Sequence, residues 1–191
     1  QLGISTLSAG ISLWMMLFQK DKAILVVATK QDTAKNLVTK VKFMYDNLPS
    51  WLQIGFVENN KLALRLKNGS QIKAVSAAGD AGRSEAISLL IIDEAAFIET
   101  NKIDEIWGSS QQTLSTGGKA IVLSTPNGTG NFFHKMWTKA EEGVNGFVPI
   151  KLHWTVHPER NQEWRDKQDD ELGLRMAAQE CDCDFTTSGN T

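Results

Sequence analysis

Short apolar segments alternate with helical patterns along most of the chain. Three segments are almost entirely aliphatic, as in strands buried on both faces: 23–29, 88–92 and 120–124. Helical periodicity predicts helices between and after them: from Ser5 or Thr6 to about 18, then 31–47, 103–114, 131–142 and a charged stretch at 161–180. This alternation predicts an α/β fold with a mainly parallel sheet and helices on both faces.

A β-hairpin insertion is predicted around Lys67-Asn68-Gly69, because Asn-Gly between two alternating segments is a strong hairpin signal. A last short strand is predicted for residues 147–152. Three tryptophans lie in helical patterns and are expected in the core: Trp14, Trp107 and Trp137.

The amino-acid composition and charge limit which kinds of protein this chain can be. The 191 residues are 41% hydrophobic, and the formal charge of −2 gives no overall footprint for nucleic acid, so any DNA contact must be local. The longest early apolar stretch is too short to span a membrane. Cys181 and Cys183, in Cys-Asp-Cys, make a poor zinc site and are typical of a reduced compartment. The loop-like start at Gln1 leads us to expect a fragment of a longer protein.

An acidic pair, Asp93 and Glu94, follows the apolar segment Leu89-Leu90-Ile91-Ile92. Ligands of parallel sheets bind beyond the carboxyl ends of the strands, where this pair is predicted to lie. Asp93 can hold a hydrated Mg²⁺ on nucleotide phosphates, and Glu94 can orient and deprotonate the attacking water. The alternative is a strand that happens to end in two exposed acids.

The chain opens with six residues that are similar to the end of a Walker A loop: Gln1, Leu2, Gly3, Ile4, Ser5 and Thr6. Backbone amides at such a helix start bind phosphates. Gly3 permits close backbone approach, and Ser5 is placed to ligate Mg²⁺. Ile4 stands where the usual lysine would be, and an ordinary helix start is the alternative interpretation.

The third buried segment ends at Ser124, followed by Thr125 and Pro126-Asn127-Gly128. A polar residue at this strand tip can sense the γ-phosphate, although a simple turn explains Pro-Asn-Gly equally well. The order of the parts is that of P-loop ATPases with a catalytic glutamate: a loop and helix, a buried strand, a strand ending in Asp-Glu, and a strand ending in Ser-Thr.

Three segments together resemble the ATPase domain of the large terminase subunit of contractile-tailed phages: Gln-Leu-Gly-x-Ser-Thr, Leu-Leu-Ile-Ile-Asp-Glu-Ala-Ala-Phe-Ile and Leu-Ser-Thr-Pro-Asn-Gly. The resemblance covers nearly the whole chain. It implies a P-loop NTPase fold of the additional-strand, catalytic-glutamate type, which hydrolyses ATP with Mg²⁺ and drives double-stranded DNA into the prohead. It also implies a homo-oligomeric ring on the portal protein, a small terminase subunit as partner, and a location in the host cytoplasm rather than the membrane or the mature virion.

Carried over onto this sequence, the resemblance places residues 1–6 in the phosphate-binding loop. It makes Asp93 the metal-coordinating acid and Glu94 the catalytic base. Leu123-Ser124-Thr125 matches a coupling motif that links hydrolysis to movement. Arg83 matches an arginine finger that reaches a neighbouring subunit, with an ordinary surface arginine as the alternative.

Residues 1–180 are expected to form the motor domain without its first strand and the upstream adenine-binding segment. Residues 181–191 are expected to begin a linker towards a nuclease domain. The Cys-Asp-Cys segment is expected on a short strand, and two acids on one short strand, Asp182 and Asp184, do not make a two-metal centre, so no nuclease activity is assigned to this chain. Family members usually carry an arginine before Gln1 that could replace the charge lost at Ile4, whereas Lys30 is a less suitable substitute.

Two other functions stay open at this point. A helicase-like P-loop ATPase shares the fold and the acidic pair but usually needs a second motor domain, for which 191 residues leave no room. A degenerate nucleotide-binding module, inactive because of Ile4, would bind without hydrolysis.

Overall fold

Six strands form one mixed sheet in the computed structural model, which describes residues 2–78 and 86–189, apart from the side chains of 112 and 113. The chain divides into two units. The first unit is Gly3–Leu123 and holds the whole sheet. The second comprises Gln1–Leu2 and Ser124–Thr191.

The described part of the first unit contains nine main elements. Its strands are β1 (Ala23–Ala28), β2 (Phe56–Asn59), β3 (Ala63–Leu66), β4 (Gln71–Ser76), β5 (Leu89–Ile92) and β6 (Lys119–Val122), and its helices are α1 (Ile4–Phe18), α2 (Gln31–Asp46) and α3 (Thr100–Ser115). Short 3-10 turns lie at Ser50–Leu52 and Ala95–Phe97.

The strand order is β2-β3-β4-β1-β5-β6. Strands β4, β1, β5 and β6 are parallel, and β2 and β3 extend the sheet in antiparallel fashion. The predicted hairpin is present as β3–β4. Gly69 adopts φ 86° in its turn, a left-handed conformation that glycine accepts without steric cost. The sheet is therefore mostly parallel, with an antiparallel extension at one edge.

Helices α1 and α2 cover one face of the sheet. The buried positions of α2 follow the helical repeat and form one apolar stripe: Ala34, Leu37, Val38, Val41 and Tyr45. They join one hydrophobic core with alternate strand residues such as Ile24, Val26, Leu64 and Ile72. The strand residues of the opposite face, among them Val27 and Leu90, are also fully buried. Burial on both faces explains the continuous aliphatic runs of β1 and β5.

The β3–β4 turn anchors the end of α1. Nδ2 of Asn68 donates to the carbonyl oxygens of Met16 at 2.8 Å and Gln19 at 3.2 Å. Oγ of the buried Ser70 donates to the Gln19 carbonyl at 2.8 Å. These bonds satisfy carbonyl groups that a helix end leaves without intrahelical partners. They also fix this end of α1 at the edge of the sheet where β4 begins.

The second unit is mainly helical. It contains α4 (Phe132–Glu141), a 3-10 turn (Trp154–Val156), α5 (Gln162–Leu172), α6 (Leu174–Ala177) and a π-type turn (Ala178–Asp182). Side-chain oxygens of Asn131 and Asn161 accept from the backbone amides three residues on, at 2.9 Å in each case, and cap α4 and α5.

Three expectations from the sequence are wrong. Residues 147–152 form no strand, and Val148 and Ile150 are 79% and 70% exposed. The Cys-Asp-Cys segment, which we expected on a short strand, begins in the last helical turn of the second unit. Trp14 is 54% exposed rather than part of the core. Among the described residues, no helix has both the length and the apolar character needed to cross a bilayer.

Candidate functional site

The carboxyl ends of three parallel strands lie side by side in the first unit. Val27 of β1 is in register with Ile92 of β5, and Ile92 with Val122 of β6. Beyond the strands the pairing continues, because the amide of Asp93 donates to the Val27 carbonyl at 2.8 Å and the amide of Leu123 to the Ile92 carbonyl at 2.9 Å. The acidic pair therefore lies at the carboxyl edge of the sheet, as predicted.

Asp93 is a half-buried carboxylate at this edge. Its Oδ1 accepts a hydrogen bond from the amide of Glu94 at 3.0 Å. Burial raises its pKa and the neighbouring Glu94 charge adds to this, whereas the Glu94 amide and Lys40 act in the opposite direction. Among the described residues, no lysine, arginine or histidine forms an ion pair with it. A carboxylate in these surroundings fits the ligand role for a divalent cation.

Glu94 follows Asp93 with an unusual backbone. Its φ of 54° and ψ of 39° lie in the left-handed region, which costs a residue with a side chain on the order of 1–3 kcal/mol. The surrounding backbone holds this conformation, because the Ala95 amide donates to the Leu123 carbonyl at 3.1 Å and the Phe97 amide to the Glu94 carbonyl at 2.9 Å. The result is an exposed carboxylate on a backbone that is fixed on both sides.

Thr29 is a site residue that the sequence reasoning missed. It directly follows β1, and its Oγ1 donates a hydrogen bond to Oε2 of Glu94 at 2.9 Å. A signal was present in the sequence, because a polar residue at the end of a strand neighbouring the acidic strand must lie at the same edge. The strand order needed to use that signal comes only from the structure.

The start of α1 offers free backbone donors. Gly3 precedes the helix with φ 78°, no side chain among the described residues caps the first turn, and that turn contains no acid. Amides in this position bind anions. The other end of α1 is fixed where β4 begins, and Ala9, Leu13 and Met16 join the core on the sheet, so the 15 helical residues run back over this face for about 22 Å. The start at Ile4, Ser5 and Thr6 therefore points towards the carboxyl edge of the sheet, where Asp93 and Glu94 lie.

Ser124 and Thr125 begin the second unit, where Thr125 is engaged locally. Its Oγ1 donates to Oε1 of Glu180 at 3.3 Å. The following loop is fastened by Asn131, whose Nδ2 donates to the carbonyl oxygens of Asn127 at 2.8 Å and Gly128 at 3.3 Å. The γ-phosphate-sensing role predicted for Ser124 and Thr125 stays a prediction.

Two predicted site residues, Gln1 and Arg83, lie outside the described residues, so their roles also stay predictions. Leu2 belongs to the second unit. Within the described parts of the chain, no three His, Cys, Asp or Glu side chains cluster as metal ligands. The structure thus brings together Asp93, Glu94 and Thr29, with the start of α1 directed towards the same edge.

Comparison with known proteins places this geometry in context. A family model described as "Terminase large subunit, T4likevirus-type, N-terminal" matches residues 1–191. The Thermus phage P74-26 large terminase ATPase domain is similar in fold, with a TM-score of 0.72 and 22% identity over 97% of this chain and 85% of that chain. The HK97 bacteriophage large terminase gives a TM-score of 0.68 and 20% identity over 90% of this chain and 41% of that one. A large terminase of a thermophilic bacteriophage in complex with ADP gives 0.71 and 10%, over 94% and 44%.

Proposed function

The chain belongs to the family of T4-like-virus-type large terminase subunits, as their N-terminal part, and we propose that its site at the carboxyl edge of the sheet hydrolyses ATP in a magnesium-dependent reaction. The domain is the ATPase of a DNA-packaging motor. More specifically, we assign the fold to the P-loop NTPases of the additional-strand, catalytic-glutamate type, and we assign Glu94 the role of catalytic base.

The observation that carries this proposal is the arrangement of Thr29, Asp93 and Glu94. Two carboxylates with different surroundings lie next to each other at the ligand-binding edge of a parallel sheet. Asp93 is half-buried without a described cationic partner, whereas Glu94 is exposed and held by Thr29 at 2.9 Å. Different surroundings give neighbouring carboxylates different tasks, as acid–base chemistry at one site requires.

Different residues of the chain have different tasks in the proposed reaction. Amides at the start of α1 bind the phosphates, and the Ser5 hydroxyl and the Asp93 carboxylate would hold Mg²⁺. When bound, the metal ion neutralises charge on the phosphate oxygens. Glu94 accepts a proton from the attacking water and orients it towards the γ-phosphate. Thr29 favours one orientation of the Glu94 carboxylate, because its hydroxyl donates a hydrogen bond to Oε2.

Ile4 removes a positive charge that the phosphates would otherwise meet. The start of α1 supplies partial positive charge there. Arg83 of a neighbouring subunit, as an arginine finger, stabilises charge that develops on the γ-phosphate. The hydrogen bond from Thr29 to Glu94 supports a working ATPase over a degenerate binding module, because a module that only binds needs no positioned base. The strained backbone of Glu94 supports the same choice, since such strain clusters at functional sites.

The wider role follows from the family. The motor works as a homo-oligomeric ring on the portal protein, with a small terminase subunit, and moves double-stranded DNA into the prohead in the host cytoplasm. Ser124 and Thr125 couple hydrolysis to that movement. Residues 1–180 form the motor domain, and residues 181–191 lead towards the nuclease part of the subunit.

Phosphate release from ATP tests the proposal. It is measured for the intact large subunit, once with Mg²⁺ and once with excess EDTA. Turnover that requires Mg²⁺ is expected, and Ser5→Ala should raise the Mg²⁺ concentration needed for half-maximal rate. Thr6→Ala is the control for metal binding alone, because Thr6 belongs to the same phosphate-binding loop but no metal is assigned to it; the Mg²⁺ concentration for half-maximal rate should not change. A folded wild-type protein without turnover, even with portal protein and DNA added, would contradict the proposal.

A further inference from the structure

The β2–β3–β4 part of the sheet carries an uneven share of the positive charge. Residues 55–75 contain four basic side chains and one acidic side chain, Glu58. The chain has 20 basic and 22 acidic residues in total, so the remainder holds 16 and 21. A local excess of positive charge therefore lies on a chain that is negative overall. We refer to Lys61, Arg65, Lys67 and Lys73 as the hairpin cluster.

Strand geometry directs the cluster outwards. Leu64, Leu66, Ile72 and Ala74 point into the core, and successive side chains of a strand point to opposite faces. Arg65 and Lys73 therefore share the outer face, and both are exposed. Arg65 is in register with Gln71, and Ala63 with Lys73, so the two charges are diagonal neighbours on adjacent strands.

The other two members lie at the ends of β3. Lys61 is exposed in the turn before the strand. Lys67 follows the strand, its amide donates to the Gly55 carbonyl at 2.8 Å, and its aliphatic stem lies over Gly55. A Cβ atom added to Gly55 would come within 3.0 Å of Cε of Lys67. The absence of a side chain at Gly55 thus leaves room for this lysine.

Ion pairs neutralise several lysines elsewhere in the described residues, each with an acid three or four positions away in the chain: Lys35 with Asp32, Lys42 with Asp46, Lys102 with Glu99 and Lys167 with Glu171. No described acid lies within ion-pair distance of any member of the hairpin cluster. Glu58 lies opposite Arg65 in the strand register, but the two form no ion pair, and Oε1 of Glu58 accepts a hydrogen bond from Nδ2 of Asn60 at 2.6 Å. Within the described parts of the chain, no ion pair neutralises the cluster, and its positive charge is available to a partner.

The geometry of the hairpin cluster favours an extended polyanion as its ligand. Side chains of adjacent strands stand roughly perpendicular to the sheet, so Arg65 and Lys73 project side by side and do not converge on one point. A single small anion needs converging donors, whereas a nucleic-acid backbone presents successive phosphates to separate cations. We propose that the hairpin cluster contacts the phosphate backbone of double-stranded DNA, an inference that rests on the proposed packaging function.

Fluorescence anisotropy tests this contact. A random-sequence 30-base-pair duplex is titrated with the intact large subunit, and the titration is repeated at a series of KCl concentrations. Each lost phosphate contact reduces the slope of log affinity against log salt by about 0.9. The Arg65→Gln/Lys73→Gln double variant is expected to lose between about 1 and 2 from that slope, with several-fold weaker binding at the lowest salt. Unchanged binding and slope would overturn the proposal.

The matched control is Lys135→Gln/Lys139→Gln, which removes the same charge from two exposed positions of α4. A slope reduced equally in this control would reflect net charge alone and would also overturn the proposal. ATP hydrolysis without DNA should be unchanged in both double variants, so failure of the DNA contact is distinguishable from failure of the ATPase. Should the double variant not fold, Lys73→Gln alone is expected to lose about 1 from the slope.

Discussion

The hydroxyl of Thr29 and the carboxylate of Glu94, 65 positions apart in the chain, form a 2.9 Å hydrogen bond at the carboxyl edge of the sheet. The bond exists because β1 and β5 are parallel neighbours, so the residues that follow them lie together. It joins a residue without any motif of its own to the predicted catalytic base. Since the Glu94 backbone is also fixed, both ends of this side chain are restrained.

Thr29→Val tests the positioning of Glu94. The two side chains have nearly the same shape, but valine cannot donate, so Glu94 becomes free to take other rotamers. We expect kcat for ATP hydrolysis to fall on the order of tenfold, because small misplacements of reacting groups are costly. KM for ATP should change little. Steady-state kinetics measures both, and Thr29→Ser should restore kcat. An unchanged kcat in Thr29→Val would mean that Thr29 does not position the base.

Asp93→Asn is expected to raise the stability of the metal-free protein and to abolish ATPase activity. Asparagine retains an oxygen that can accept from the Glu94 amide, and it removes a half-buried charge that has no ion-pair partner among the described residues. Metal-free protein should therefore melt at a higher temperature, while hydrolysis is lost. Calorimetry with EDTA measures the first effect. Asp104→Asn, at an exposed site, should change neither property. A lower Tm for Asp93→Asn would refute this expectation.

The second unit contains a charged cluster that predicts acid sensitivity. Buried Arg165 donates from Nε and Nη2 to the two oxygens of Asp182, at 2.8 and 2.7 Å. These bonds, above all, hold the pKa of Asp182 below its ordinary value. A carboxyl with a lowered pKa stabilises the fold above its unfolded-state pKa of about 4, and this stability is lost as pH falls through the folded-state pKa.

Asp182→Asn should lower the free energy of unfolding by about 1.5–3 kcal/mol at pH 7, the usual worth of hydrogen bonds to charged groups. It should also make stability less dependent on pH below about 4. Urea unfolding at several pH values measures both effects. Asp170→Asn, on the same helix as Arg165, is the control and should behave as wild type. Parallel pH profiles for wild type and Asp182→Asn would contradict this interpretation.

Gly128 and Gly189 form a close backbone contact in the second unit. A Cβ atom added to Gly128 would lie 2.9 Å from Cα of Gly189, and the Gly128 amide donates to Oγ of Ser188 at 3.1 Å. Gly128→Ala should therefore destabilise the protein more than Gly143→Ala. Both glycines have φ 71°, but no atom lies within 4 Å of a Cβ at Gly143. The difference in unfolding free energy isolates the clash, and equal losses would show that the contact does not form in solution.

The regular elements were predictable where local chemistry decides them. Asn68-Gly69 predicted the hairpin turn, and the aliphatic runs predicted β1 and β5 within a residue of their observed ends. Residues 147–152 misled the prediction because their apolar character was taken for a strand. Pro149 cannot donate to a ladder, and no neighbouring strand is present among the described residues.

The candidate site was predictable in part. The acidic pair after an aliphatic strand pointed to Asp93 and Glu94, and the family predicted from the three resembling segments is confirmed by the match over residues 1–191. Thr29 was missed because its role depends on strand order, a long-range property. The left-handed backbone of Glu94 was also beyond local rules, which favour glycine or asparagine there. The hairpin cluster escaped notice because the overall charge masks it, and only the alternation of buried and exposed residues shows that Arg65 and Lys73 share a face.

Single-turnover ATP hydrolysis by Glu94→Gln tests the central claim most directly. Glutamine keeps the size of the side chain and an oxygen for Thr29 but cannot accept the proton from water. With the variant folded and binding ATP as wild type does, the rate of hydrolysis should fall by a factor on the order of 10²–10⁴, the usual contribution of a general base. A rate within a few-fold of wild type would show that Glu94 is not the base and that the site works differently.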